Sequence, residues 1–183
     1  LIQKTTIKEA LQGNEKAQNF IYEELAKPLF MACLRYMKNQ VDAEDVFCTG
    51  FSKIFQNLNQ FQYRTEGGFE AWAKKVMVNE CLMSLRKRAR APMMIEPEEY
   101  HISSEWSVLD KLSADELFSL ILLLPEGYRT VFNLYEIEGY SHAEIADKLH
   151  IKIGTSKSQL NKAKAYLRKI INRIDLDDAK KII

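Results

Sequence analysis

A chain of 183 residues, 46% hydrophobic and 28% charged, carries enough apolar material for one large globular domain or two small ones. Seven Gly and four Pro are too few for a turn-rich β fold, and three scattered Cys with three His make neither a disulfide framework nor a metal-ligand spacing. The net charge of +1 names no partner, but the charge is segregated: eight basic and no acidic residues run from Lys148 to Arg173, a second basic cluster holds Arg86, Lys87, Arg88 and Arg90, and Glu96, Glu98, Glu99, Glu105 and Asp110 lie between them.

Near the start, Ala17, Phe20, Ile21 and Leu25 have helical spacing, and Pro28 is expected to break that helix or begin the next. Leu29, Ala32, Cys33 and Tyr36 mark a second stripe. Asp42 is read as the N-cap of an amphipathic helix whose apolar face is Ala43, Val46, Phe47, Phe51, Ile54, Phe55 and Leu58. A loop from Asn59 to Gly68 carries Phe61 and Tyr63. The helix after it runs from Phe69 to about Arg90, with Phe69, Ala73, Met77, Cys81, Leu85 and Ala89 facing the core. Its other face, Trp72, Lys75, Asn79, Met83, Arg86 and Arg90, combines stacking, edge hydrogen bonding and phosphate neutralisation in a way that suits a nucleic acid. Cys33, Cys48 and Cys81 each fall in an apolar helical pattern and are expected to be buried free thiols of a reducing compartment.

The periodicity lapses from Pro92 to about Leu112, where two prolines and the acidic patch predict a linker between a domain of residues 1–91 and another of residues 113–183. Leu117, Leu120, Ile121 and Leu124 then predict a helix ending before Pro125, and Val131, Leu134 and Tyr135 one ending near Gly139 as its C-terminal cap. Ser141 and Glu144 have capping-box spacing at the start of a helix burying Ile145, Ala146 and Leu149. A turn from His150 to Ile153 leads into the last helix, with Leu160, Ala163, Leu167 and Ile170 as its buried stripe. Two short helices joined by a tight turn, with Ala146 at the crossing, describe a helix-turn-helix. Its second helix would enter the major groove, with Thr155, Lys157, Ser158, Gln159, Asn161 and Lys162 directed away from the core stripe. Lysines there suit phosphates, while Gln159 and Asn161 suit the paired hydrogen bonds of an adenine edge.

These residues resemble a known family. Gly139–Leu149, Gly154–Leu160 and Ala163–Leu167 look like the fourth domain of bacterial sigma factors, and Leu124–Arg129 is similar to its opening phrase. Asp42–Val46, Phe69–Trp72, Val78–Asn79 and Leu85–Arg88 resemble the second domain. Both motif sets, in this order and separated by a short linker, resemble the extracytoplasmic-function class of sigma factors. The resemblance implies an all-α fold of two small helical domains. It implies as partners bacterial core RNA polymerase (clamp and flap), promoter DNA both duplex and single-stranded, and an anti-sigma factor.

By the same resemblance, Asp42, Asp45, Cys48 and Thr49 would face the polymerase clamp. Phe61, Trp72, Lys75, Asn79, Arg86 and Arg88 would capture the unpaired −10 strand, and the helix-turn-helix would bind the −35 duplex. The acidic linker would thread polymerase near the RNA exit path. Cys48-Thr49 replaces the family's usual Gln-Glu pair, Met83 a common Asp, His150 a frequent turn Gly, Lys152 a frequent capping Ser, Ser156 a core Val or Ile, and Gln159 a common Arg. A buried Ser156 would need a hydrogen-bond partner, for which a carbonyl one turn back is the local choice. Two rival readings stay open: a helix-turn-helix regulator that does not bind core polymerase, and a diverged sigma-like chain that acts by titrating partners. No nucleophile–base set, metal cluster or phosphate loop points to an enzyme, and no cofactor is expected. No basic-then-apolar leader pattern occurs, and the apolar runs, Leu120–Leu124 among them, are too short for membrane insertion, so the cytoplasm is the expected compartment.

Overall fold

A computed structural model describes residues 1–89 and 113–180, with side chains to residue 88 and from 113 to 173. The predicted linker with its acidic patch, Arg90 and the side chain of Ala89 lie outside the described residues. All regular structure among the described residues is helical. The chain divides into two compact units, Leu1–Met93 and Met94–Ile183.

The first unit contains α1 (Lys4–Leu11), α2 (Glu15–Met37), α3 (Gln40–Gln56), a 3-10 turn (Leu58–Gln60) and α4 (Gly68–Ala89). α2, α3 and α4 pack on one another in a three-helix core, and α1 lies against α2. Asn14 caps α2 by accepting from the backbone N–H groups of Lys16 and Ala17. Contrary to expectation, Pro28 neither ends nor begins a helix but lies inside α2. Pro28 and Glu24 are both exposed, so the bond that the missing N–H cannot make falls on the wet side, and one buried stripe (Ala17, Ile21, Leu25, Leu29, Ala32, Cys33, Tyr36) passes straight through. Phe20, expected on that stripe, is exposed.

Asn39, not Asp42, caps α3: its side chain accepts the Asp42 backbone N–H at 2.9 Å. Asp42 lies in the first turn of the helix, where a carboxylate complements the helix dipole. Gly50, in the middle of α3, leaves room for Met77 of α4: a Cβ there would overlap the Met77 thioether, with Cε at 2.8 Å. Beside it, Lys53 Nζ donates to both oxygens of Glu80, at 2.7 and 2.8 Å, which neutralises a carboxylate that α4 carries into the interface. Of the three thiols expected to be buried, Cys48 is exposed on α3. Cys33 and Cys81 are buried, and hydrogen bonding to Cys33, together with burial, pushes the Cys81 thiol well above its ordinary range.

The second unit contains α5 (Ala114–Leu123), α6 (Glu126–Phe132), a π-helical turn (Asn133–Ile137), α7 (His142–Leu149) and α8 (Ile153–Lys180). Complete capping boxes open α5 (Ser113 with Glu116) and α7 (Ser141 with Glu144). Arg129 is buried, and its Nη1 donates to the Leu124 carbonyl at 2.8 Å, closing the end of α5 where Pro125 cannot continue it. Gly139 takes a left-handed φ of 75° as the chain turns from the π-helical segment toward α7. α6 and α7 both pack on α8, whose buried stripe is Leu160, Ala163, Leu167 and Ile171. Ile171 takes the place expected of Ile170, which is half-buried, because a spacing of four from Leu167 keeps the stripe on one face.

Candidate nucleic-acid interface

In the second unit the turn between α7 and α8 is set by His150, which adopts the left-handed region at φ 55°, ψ 44°. This is the conformation that glycine adopts most easily; in His150, which is exposed, the Cβ lies close to the backbone carbonyl at a modest cost. α8 then starts at Ile153, so Thr155, Lys157 and Ser158 fall in its first two turns. Thr155, Lys157, Ser158 and Asn161 are exposed and Lys162 is half-buried. Gln159 is also half-buried, with its amide 3.6 to 3.8 Å from the place a Cβ on Gly127 would take. It leans into the notch that glycine leaves in α6, at the flank of the outward face.

Ser156 is fully buried. Its partner is not a carbonyl one turn back but the ring of His142: Oγ lies 2.9 Å from Nδ1. His142 in turn stacks on Tyr135, with ring centroids 4.5 Å apart and planes 22° from parallel. Lys164 approaches the other ring of this pair at 5.9 Å and bonds Glu136 at 2.7 Å. Partial burial, then the charges of Lys157 and Lys164, depress the His142 pKa below its ordinary value of 6.5. α8 is therefore anchored to α7 by a polar contact where an aliphatic side chain was expected. Sequence periodicity could not find it, because His142 is the first residue of α7, next to the Ser141 cap, and shows no apolar signal.

In the first unit, Lys75, Asn79, Met83 and Arg86 are exposed along α4. Trp72 is half-buried, its ring centroid 5.4 Å from that of Phe61 and 5.6 Å from that of Phe69. Phe61 also meets Phe69 at 5.1 Å and Tyr63 at 6.4 Å, so the loop and the start of α4 share one aromatic cluster. Phe61, Tyr63 and Trp72 each keep part of their surface exposed, which leaves π-faces on a rigid base.

Asp45, Cys48 and Thr49 are exposed on α3. Thr49 Oγ1 donates to the Asp45 carbonyl at 2.9 Å. Asp42 is paired with Arg88 of α4, and the hydrogen bond from Asn39 followed by that guanidinium holds its carboxyl below the usual range. Asp42 and Arg88, expected to meet different partners, thus meet each other. Asp45 and Thr49 also line, with Glu80, Met83, Ser84, Arg86 and Lys87, a groove of about 530 Å³ between α3 and α4. Among the described residues no group of His, Cys, Asp and Glu could hold a metal ion, and no helix is long and apolar enough to cross a membrane.

Residues 21–91 match the family of sigma-70 region 2, and residues 114–167 match that of sigma-70 region 4. The ECF RNA polymerase sigma factor SigE of Mycolicibacterium smegmatis is 30% identical over 149 residues, covering 78% of this chain, which spans 57% of that protein's length. The ECF RNA polymerase sigma factor SigW of Bacillus subtilis is 25% identical over 187 residues, covering 91% of this chain and 95% of its own. Among solved structures, the sigma factor RpoE of Bartonella quintana, in complex with the anti-sigma factor NepR, aligns with a TM-score of 0.51 at 19% identity, over 84% of this chain and 96% of that one. With sigma-70 regions 2 and 4 following one another on a single helical chain, and with these relatives, the chain belongs to the extracytoplasmic-function sigma factors.

Proposed function

We propose that this chain joins bacterial core RNA polymerase in the cytoplasm and directs it to promoters, with the first unit serving the clamp and the −10 strand and the second the −35 duplex. The observation that carries the reading is the outward face of α8. Thr155, Lys157, Ser158 and Asn161 stay exposed while Ser156, Leu160 and Ala163 lock the helix onto its neighbours, an arrangement that presents donors and cations to a major groove on a rigid support. The aromatic cluster of Phe61, Tyr63 and Trp72 supports capture of unpaired bases by stacking, with Lys75, Asn79 and Arg86 alongside for phosphates and base edges. Residues 1–91, 92–112 and 113–183 are its domain, linker and domain. The chain makes and breaks no bond itself; polymerase does the chemistry. An anti-sigma factor is the proposed regulatory partner.

Reconstitution with bacterial core polymerase, followed by mapping of transcript starts genome-wide, tests this reading. The expected result is a set of starts that share upstream sequence and depend on the chain. Binding to core polymerase without promoter-directed transcripts would favour partner titration, a reading motivated by Cys48-Thr49 standing, exposed on α3, where the family usually has Gln-Glu. Duplex DNA binding with no affinity for core polymerase would favour a conventional regulator.

A further inference from the structure

The loop that carries Phe61 and Tyr63 is held at both ends by the amino-terminal segment. At its entrance, α1 packs on the Leu58–Gln60 turn, and Ile7, Ala10 and Leu58 are all buried. At its exit, the Ile2 backbone N–H donates to Glu70 Oε1 at 2.7 Å, across 68 positions of sequence. Beside that bond the Leu1 side chain lies 3.9 Å from the place a Cβ on Gly67 would take. Between these ends residues 61–64 have no regular secondary structure, and the ring contacts of Phe61 with Phe69 and Trp72 hold the middle of the loop only from one side.

Glu70 is the third residue of α4, the position from which a glutamate ordinarily turns back to cap its own helix. Here Oε1 goes instead to the distant Ile2 amide, and Oε2 is buried without a hydrogen-bond partner. A carboxylate serving only α4 would keep both oxygens within reach of local N–H groups or water. Its position makes sense as a tie between segments. A short loop with fixed ends loses less conformational freedom when a ligand binds than one whose ends are loose.

We infer that Glu70 is a positioning residue for single-strand capture: its bond to Ile2, with Leu1 on Gly67 and α1 on the Leu58–Gln60 turn, fixes both ends of the loop and so presents Phe61 and Tyr63 against Trp72. The inference rests on the proposed reading of that loop as the surface that receives unpaired promoter bases.

The test uses holoenzyme assembled from the full chain and core polymerase, with a promoter fork whose −10 strand is unpaired, of a sequence mapped for the wild-type holoenzyme. Glu70→Ala is expected to weaken fork binding roughly three- to tenfold, the scale of one lost hydrogen bond. Affinity for core polymerase should stay at the wild-type value. Glu70→Gln, which keeps an oxygen acceptor, should restore fork binding. Unchanged fork affinity in Glu70→Ala, an equal loss in Glu70→Gln, or a parallel loss of core affinity would each overturn the inference while leaving the proposed function standing. A wild-type chain that fails to bind core polymerase overturns both. Should Glu70→Ala not fold, Glu70→Asp keeps the charge but withdraws the acceptor from the Ile2 N–H by one methylene, and is expected to give the same loss.

Discussion

His142 Nδ1 lies 2.9 Å from Ser156 Oγ and joins the first helix of the helix-turn-helix to the second through a fully buried hydroxyl. The two ends of this bond are unequal: Ser156 has no access to water, whereas the half-buried imidazole keeps some. Removing His142 strands a buried hydroxyl, and removing Ser156 strands only a ring nitrogen that water can reach. Ser156→Ala should therefore cost about 1 kcal/mol and His142→Ala about 2 to 3 kcal/mol, since the latter also loses the Tyr135 stack. Denaturant titration of the two variants checks the order. Equal costs would mean that the hydroxyl has another partner.

The same imidazole makes stability depend on pH. Its folded pKa is depressed below 6.5, by burial first and then by Lys157 and Lys164. The unfolded chain therefore binds more protons than the folded one just below 6.5, and stability falls as pH drops through that window. The contribution is fully present above 6.5. Unfolding midpoints measured from neutral pH downward should fall in the wild type, and His142→Gln should flatten that slope. Asp42, whose carboxyl is held below 3.8 by Asn39 and Arg88, adds a second loss only in more acidic solution, as pH falls through its folded pKa.

The turn of the helix-turn-helix stores removable strain. His150 is exposed at φ 55°, and a side chain there costs about 1 kcal/mol relative to glycine, part of which the freer unfolded chain of a glycine variant takes back. His150→Gly should raise stability by about 0.5 kcal/mol while leaving DNA affinity unchanged. A thermal melt beside a duplex-binding titration reads both quantities.

Gly50 of α3 leaves the space that Met77 of α4 fills. Alanine would gain about 1 kcal/mol in helix propensity, but its Cβ would strike the fully buried Met77 thioether, and overpacking of that kind costs about 1 to 3 kcal/mol. Gly50→Ala should be net destabilising, and the loss should shrink in a Met77→Val background, where the long side chain is gone. Additive effects in the double variant would count against the close approach.

Lysines on α8 should separate by their partners. Lys157 is exposed on the first turns, whereas Lys164 bonds Glu136 and borders the Tyr135 ring. Lys157→Ala should weaken duplex binding and make its salt dependence shallower by about one phosphate contact. Lys164→Ala should leave that slope alone and lower stability modestly, as expected for a partly exposed pair. Asn161→Ala should relax sequence preference at one base position, by about 1 to 3 kcal/mol of discrimination. Quantitative binding to duplexes at several salt concentrations distinguishes the three.

The amino-acid sequence alone determined the helices other than α1 and the continuity of α2, most of their buried faces, the turn of the helix-turn-helix and the family, because these are largely local matters. A 3.6-residue period, a Ser with a Glu three positions on, and a glycine at a turn act within a few residues of one another. Its misses were local too where two signals competed. Asn39 and Asp42 both suit a cap, and the geometry chose Asn39; Pro28 broke no helix because the N–H it lacks was needed only on the wet side. What the tertiary structure decided is which polar groups meet. Ser156 found His142, Arg88 took Asp42, Gln159 leaned into the notch at Gly127, and Glu70 reached Ile2. No periodicity encodes such pairs: hydrophobic burial fixes where the helices lie, and only then does a buried or half-buried polar group find the partner that its desolvation requires.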